Sequence, residues 1–207
     1  ISFTRRRSGV RSPLQAYNFL IMEYIFQSNF LIKFKHPDAD KFISELERVT
    51  LDTVDDYTWS WGDYCKVDRV VLSGMDLGKY FRPIMNRIGK ELNYSGGMGM
   101  DIPWLNFYKK HGFQEVHDHY PADLAMVFFV NEGKDFSGFY VKDRNNTNVS
   151  MNLTKVLNQF NGYDNSSFLN VSAGDVLIFP GSMLHGVSAH GSDIMRKTLS
   201  TNIYFNK

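Results

Sequence analysis

Apolar and polar positions change their rhythm about halfway along the chain. Residues 23–36, EYIFQSNFLIKFKH, alternate aromatic or aliphatic positions with polar ones, which is the period of one or two β-strands. The spacing then lengthens. Phe42, Leu46 and Val49 recur at helical intervals behind Asp38 and Asp40, either of which suits a cap, so HPDADKFISELERV reads as a short amphipathic helix. Leu77, Phe81, Ile84, Ile88 and Leu92 mark a second helix over about 76–93. Pro83 falls inside it and should kink it or move its start, because proline lacks the N–H that a helix interior needs. Between the two helices, residues 51–70 read as irregular and aromatic, apart from the ordinary strand face KVDRV. NYSGGMGM reads as a glycine-rich break. No helix start with Lys-Ser or Lys-Thr follows it, so a phosphate-binding loop has no support.

From Trp104 onward short alternating runs recur: WLNFYKK, FQEVHDH, LAMVFFV, SGFYVKD, DVLIFPG, LHGVSAH and KTLSTNIYF. Turn signals such as YPAD, NEGKD, SAGD and HGSD separate them. Serial short strands predict a mostly β fold, a sandwich, jelly roll or barrel, with the N-terminal helices packed on one sheet. Only 149–167 is ambiguous between strand, short helix and loop. The length of 207 residues suits one domain, with helical and irregular support over 36–100 and a β core over 101–207. Residues 1–21 are basic, then apolar, and read as an extension without a structural role, leaving 22–207 as the domain. Asn18 and Glu23 interrupt the apolar part, and no small-residue cleavage site follows, unlike a signal peptide.

Composition narrows the function classes. A net charge of +1 gives no electrostatic case for nucleic-acid binding. The single cysteine, Cys65, excludes an internal disulfide framework and a cysteine-based zinc site. It reads as a small inert hydrophobe in a reducing compartment, hence a cytoplasmic protein, or one in the host cytoplasm if viral. No apolar run approaches the ~20 residues that span a bilayer, so no membrane partner is expected.

The chemistry lies in histidines. His117 and His119 are one residue apart in FQEVHDH; on a strand they share a face and Asp118 points away. His185 comes far later, where a strand is expected to begin after the Pro-Gly turn of FPGSMLHGV. A jelly roll sets sequence-distant strands side by side. A close pair plus one distant histidine is therefore the layout of three facially disposed metal ligands, and nitrogen ligands with open positions suit Fe(II). Arg196 opens the last strand. A buried arginine is rare without an anionic partner, and a guanidinium aimed into a barrel suits a carboxylate.

The ordered set Trp104-Leu105-Asn106, His117-Asp118-His119, FPGSMLHGV and Arg196-Lys197-Thr198 with Asn202 resembles the Fe(II)- and 2-oxoglutarate-dependent oxygenases. The likeness is to the prolyl-hydroxylase-like branch common in tailed phages and marine bacteria, and it covers residues 100–207. The resemblance implies a double-stranded β-helix (jelly roll, cupin-like). It implies Fe(II), 2-oxoglutarate as co-substrate, and O2. It further implies hydroxylation of a small-molecule or peptide substrate, with peptidyl proline the closest analogy, coupled to decarboxylation to succinate and CO2. His117 and His185 would be iron ligands, and Arg196 with Thr198 would grip the distal carboxylate, with Asn106 and Tyr108 as further co-substrate contacts. Most of the superfamily has His-x-Asp, and here the third place is His119. A bulge turning Asp118 inward, or Asp123 reaching round, are the alternatives; similarity to the same branch favours His117, His119 and His185. Tyr140 is a second candidate for the pocket wall, with aromatic packing the stronger reading for both tyrosines. His36, His111 and His190 read as ordinary hydrogen-bonded histidines. Two rivals remain: a three-histidine dioxygenase without 2-oxoglutarate, which leaves Arg196 no purpose, and a non-catalytic jelly-roll binding module. Substrate groups are expected from loops 51–65, 131–136 and 143–167.

Overall fold

The alternation near the start resolves into two antiparallel strands, β1 (Met22–Phe26) and β2 (Asn29–Lys35). They belong to a computed structural model that describes residues 22–26, 29–51, 65–142 and 166–206. The expectations for residues 1–21, and for most of loops 51–65 and 143–167, lie outside these residues.

Helix α1 (Ala39–Glu47) buries Ala39, Phe42 and Leu46. Asp38 is its N-cap residue, but its side chain makes no capping bond and faces Lys41 at 3.7 Å instead. Helix α2 (Gly78–Glu91) buries Tyr80, Phe81, Ile84 and Ile88. It begins before Pro83, which therefore does not set its start and only removes the N–H that Lys79 O would accept. Strand β3 (Val67–Val71) occupies KVDRV. Strand β4 (Met98–Met100) corrects the reading of NYSGGMGM as a simple break: Gly99 sits opposite Tyr204, where a strand needs no side chain of its own to pair.

The remaining strands follow the predicted runs: β5 (Trp104–Tyr108), β6 (Gln114–His117), β7 (Leu124–Phe129), β8 (Phe139–Lys142), β9 (Ser166–Phe168), β10 (Asp175–Pro180), β11 (Leu184–Val187) and β12 (Arg196–Phe205). The larger sheet runs β1-β2-β10-β7-β12-β5-β3, with β4 added to β12; the smaller runs β6-β11-β8-β9. This is the expected jelly roll, mostly β, with both helices on one sheet.

Period-2 alternation decides what each face of the larger sheet touches. Leu105, Met126, Phe128, Ile178 and Leu199 point to the helices, where Phe42 stacks between Tyr80 at 4.3 Å and Phe128 at 4.6 Å. Each such side chain contributes about 1.5–3 kcal/mol on full burial, which fixes the helices to this face. The opposite face turns Val127, Phe129, Leu177 and Phe179 toward Phe139 and Val187 of the smaller sheet. Polar residues interrupt this inner face at Asn106, Arg196, Thr198 and Ser200, all buried. Burial of so many polar groups between two apolar layers locates the site. Among the described residues, no helix is long and apolar enough to cross a membrane.

Candidate metal centre

Strand β6 ends at His117, which sits directly opposite His185 of β11. His119 lies two residues beyond the strand rather than on it. Its N–H donates to Gly181 O at 2.7 Å, and its own carbonyl accepts from Ala122 N at 2.8 Å, closing a turn. Gly181 permits this approach, since a Cβ there would stand 2.1 Å from Ala122 O. The glycine of the FPG turn thus seats the third histidine, a role invisible in the sequence. The ring nitrogens of His117, His119 and His185 that face one another lie within 4.8 Å. Asp118 and Asp123 are outside this cluster. Asp118 accepts from Tyr120 N at 3.2 Å in its own turn, and Asp123 accepts from Phe205 N at 2.8 Å.

Backbone carbonyls set two of the three tautomers. His117 Nδ1 is 2.7 Å from Glu115 O, and His185 Nδ1 is 2.9 Å from Met183 O. A carbonyl only accepts, so both Nδ1 atoms carry the proton and both Nε2 atoms present lone pairs. His119 Nε2 is 3.2 Å from His185 Nε2 and donates to it. The Asn202 amide lies against His119 and favours its protonation. Asp101 anchors that amide, accepting from Asn202 Nδ2 at 2.9 Å and from Tyr204 O–H at 3.1 Å. Trp104 packs over His119 with ring centroids 6.3 Å apart, and the Arg69 guanidinium lies 3.9 Å over Trp104.

Burial holds all three imidazoles below the usual histidine range, reinforced by the neighbouring imidazoles for His119 and His185: His119 is lowered to about 4, His185 lies well below 6.5, and His117 is lowered too. At neutral pH all three are uncharged lone-pair donors. The sign for stability follows. The unfolded chain takes up these protons below about pH 6.5 and the folded chain does not, so stability is full above that pH and falls on acidification. The urea midpoint of the metal-free protein is expected to drop between pH 7 and pH 5; a flat profile there would contradict buried neutral histidines.

The opposite wall comes from β12 and β5, paired as Arg196 with Tyr108, Thr198 with Asn106 and Ser200 with Trp104. Arg196 is 2% exposed, and burial lowers its pKa from the ordinary value. Its Nη1 donates to Ser137 Oγ at 2.8 Å, while the buried Nη2 has no hydrogen-bond partner among the described residues. Asn106 Nδ2 donates to Thr198 Oγ1 at 3.3 Å and Ser200 Oγ at 3.1 Å. Tyr108 O–H donates to Gln114 Oε1 at 2.9 Å, and Gln114 Nε2 is 3.3 Å from His117 Nε2.

Sequence reading missed Gln114 and Ser137. Strict alternation puts Gln114 on the face opposite His117. On β6, however, the step from Gln114 to His117 is three residues where β11 steps two, from Val187 to His185. That extra residue turns both side chains inward. Ser137 has no motif and is found only by asking what Arg196 touches. Tyr140 packs against Phe168 at 5.4 Å, the aromatic role expected of it, and is not among the residues that line the cavity. His36 and His190 are buried and bonded to the carbonyls of Tyr80 and Ile194; His111 is exposed. One cavity of about 340 Å³, counted to its open mouth, is lined by the histidine cluster and by Arg196 together.

Residues 103–202 match the family described as "Putative 2OG-Fe(II) oxygenase", a span that includes the three histidines, Arg196 and Asn202. Among solved structures, HygX from Streptomyces hygroscopicus with nickel, 2-oxoglutarate and hygromycin B bound superimposes with a TM-score of 0.58 at 14% identity, covering 88% of this chain and 86% of that one. The fold is that of the 2OG-Fe(II) oxygenases. The same oxygenase fold appears in SnoN, a non-heme α-ketoglutarate-dependent epimerase from nogalamycin biosynthesis (TM-score 0.59, 14% identity, 84% and 77% coverage). It appears again in a prolyl-4-hydroxylase from Pseudomonas putida (TM-score 0.53, 12% identity, 86% and 93% coverage). The family match covers the half of the chain that carries the three histidines and Arg196, and the structural likeness gives the fold. No curated protein sequence matches this chain.

Proposed function

We propose that this chain is an Fe(II)- and 2-oxoglutarate-dependent oxygenase that hydroxylates a C–H bond of a small-molecule or peptide substrate. One observation carries the reading: the buried, unpartnered Nη2 of Arg196 lines the same cavity as the three imidazoles. Neutral imidazoles suit a divalent metal such as iron, and a guanidinium with a free donor suits a carboxylate oxygen.

His117, His119 and His185 would hold the iron. Bound there with its co-substrate, the iron supplies O2 activation coupled to decarboxylation of 2-oxoglutarate. The chain's own part is positioning and exclusion. Arg196 would take the distal carboxylate, with the Thr198 hydroxyl beside it and Asn106 tying Thr198 to Ser200. Tyr108 lies under the guanidinium at 5.3 Å and walls off water. Charge supports the same ligand. Among the described residues no acidic side chain lines the cavity, so a 2+ ion and Arg196 together present three positive charges, which a dianion such as 2-oxoglutarate offsets best. A three-histidine dioxygenase using no 2-oxo acid would leave Arg196 buried at a cost with nothing in return. The single buried thiol, Cys65, supports a reducing, cytoplasmic setting.

The test is anaerobic titration of the Fe(II)-loaded protein with 2-oxoglutarate. A saturable visible charge-transfer band is expected. Iron bound without a band would favour the dioxygenase, and no iron at all would leave a binding module.

A further inference from the structure

Proton positions around His117 assign a task to a residue that no motif picks out. His117 keeps its proton on Nδ1, held by Glu115 O at 2.7 Å, so its Nε2 bears a lone pair. The amide nitrogen of Gln114, 3.3 Å away, donates to that lone pair. The orientation of the amide is fixed from both ends. Tyr108 O–H donates to Oε1 at 2.9 Å, and a flipped amide would set its oxygen against a bare imidazole nitrogen.

The lone pair that Gln114 occupies is the one a metal must take. Once it is taken, the amide N–H loses its acceptor while Tyr108 still holds the amide oxygen in place. The group is then an unsatisfied donor in the cavity wall, beside the metal and next to His117. Among the described residues no carboxylate lines that cavity to accept from it, and the hydroxyls of Thr198 and Ser200 are engaged by Asn106. An oxygen of a metal-bound ligand is the acceptor left.

We propose that Gln114 is a positioning residue that, with metal bound, donates its amide N–H to the metal-bound carboxylate of the 2-oxo acid. This rests on the oxygenase reading above. The two ends of the co-substrate are then recognised by different residues, the distal carboxylate by Arg196 and the proximal one by Gln114. Tyr108 couples them, since its ring lies under Arg196 and its hydroxyl anchors Gln114.

The experiment measures Fe(II) affinity and anaerobic 2-oxoglutarate affinity in Gln114→Leu and Gln114→Glu. The second variant keeps an acceptor for Tyr108 and removes the donor; its added carboxylate also attracts the metal and repels the co-substrate, so Gln114→Leu carries the magnitudes below and Gln114→Glu only the direction of the 2-oxo acid effect. Iron affinity is expected to be unchanged or modestly tighter, because a competitor for the His117 lone pair is gone. 2-Oxoglutarate is expected to bind about tenfold more weakly, as for one hydrogen bond to a charged acceptor. Pyruvate, a 2-oxo acid without the distal carboxylate, should lose the same factor in the Gln114 variants and nothing in Arg196→Met. Wild-type 2-oxoglutarate affinity in both variants would overturn the proposal and leave the oxygenase reading intact. Iron bound about tenfold more weakly would overturn it as well, by making Gln114 a support for His117. Wild-type protein that binds iron but no 2-oxo acid would overturn both readings together.

Discussion

Arg196→Met is expected to stabilise the metal-free protein and to remove its affinity for 2-oxoglutarate. The guanidinium is 2% exposed, has one hydrogen bond, to Ser137, and meets the rings of Tyr108 and Phe129 at 5.3 and 5.5 Å rather than a carboxylate. Replacing buried ionic groups by apolar side chains of similar volume is often neutral or stabilising by about 1–4 kcal/mol. The Ser137 hydroxyl left behind offsets part of that by about 1–3 kcal/mol. A net gain of about 1 kcal/mol would raise the melting temperature by roughly 2–4 °C in a chain of this size. Co-substrate binding moves the other way. Loss of one partner of a buried, hydrogen-bonded charge pair costs about 2–5 kcal/mol, or roughly 10²–10³-fold in affinity. Melting curves with and without 2-oxoglutarate read both effects at once, because the ligand should shift the wild-type curve and leave that of the variant in place. An arginine present for stability would give a lower melting temperature. Unchanged 2-oxoglutarate affinity would take Arg196 out of its proposed role.

That opposition of stability and binding explains why Arg196 was legible in the sequence. Between Met195 and Lys197, at the head of the strand RKTLSTNIYF, alternation already pointed the side chain inward, and a lone inward charge asks for a ligand. The strands were legible for the same reason: two sheets with one buried interlayer leave a period-2 trace, and β7, buried on both faces, leaves the continuous run LAMVFF. Departures from that period were not legible. The extra residue in β6 that turns Gln114 toward His117, the close approach of the His119 turn to Gly181, and the pairing of Gly99 in β4 all depend on a partner strand. Asp38 makes no side-chain cap because its carboxylate is turned to the Lys41 ammonium at 3.7 Å, a contact one turn on that the capping pattern does not encode. Ser137 is brought to Arg196 across 59 residues, a contact that no local pattern encodes.

The second large effect belongs to His185. His185→Ala is expected to lower Fe(II) affinity by well over 100-fold, beyond the ~10–100-fold typical for loss of a group that only orients a ligand. The reason is position. His185 is 3% exposed, with its Nδ1 locked by Met183 O and its ring stacked on Phe139 at 5.4 Å, whereas His117 and His119 are half-buried at the end of β6. It is the rigid corner of the triangle, and both other imidazoles are placed relative to it: His117 as its cross-strand partner and His119 through the 3.2 Å contact between Nε2 atoms. Truncation should cost the metal-free fold only about 1–3 kcal/mol, since the ring is neutral and loses one hydrogen bond and its packing. His185→Gln, which fills more of the space, guards against collapse of the site. A further consequence separates this role from a packing role. Without His185, one buried imidazole that the fold holds neutral is gone, so the acid sensitivity of the metal-free protein should weaken. His190→Gln is the contrast: it removes a buried histidine bonded to Ile194 O, away from the cavity, and should alter stability while leaving iron affinity at the wild-type value. Full iron occupancy in His185→Ala would refute the three-histidine centre, whatever the fate of Arg196.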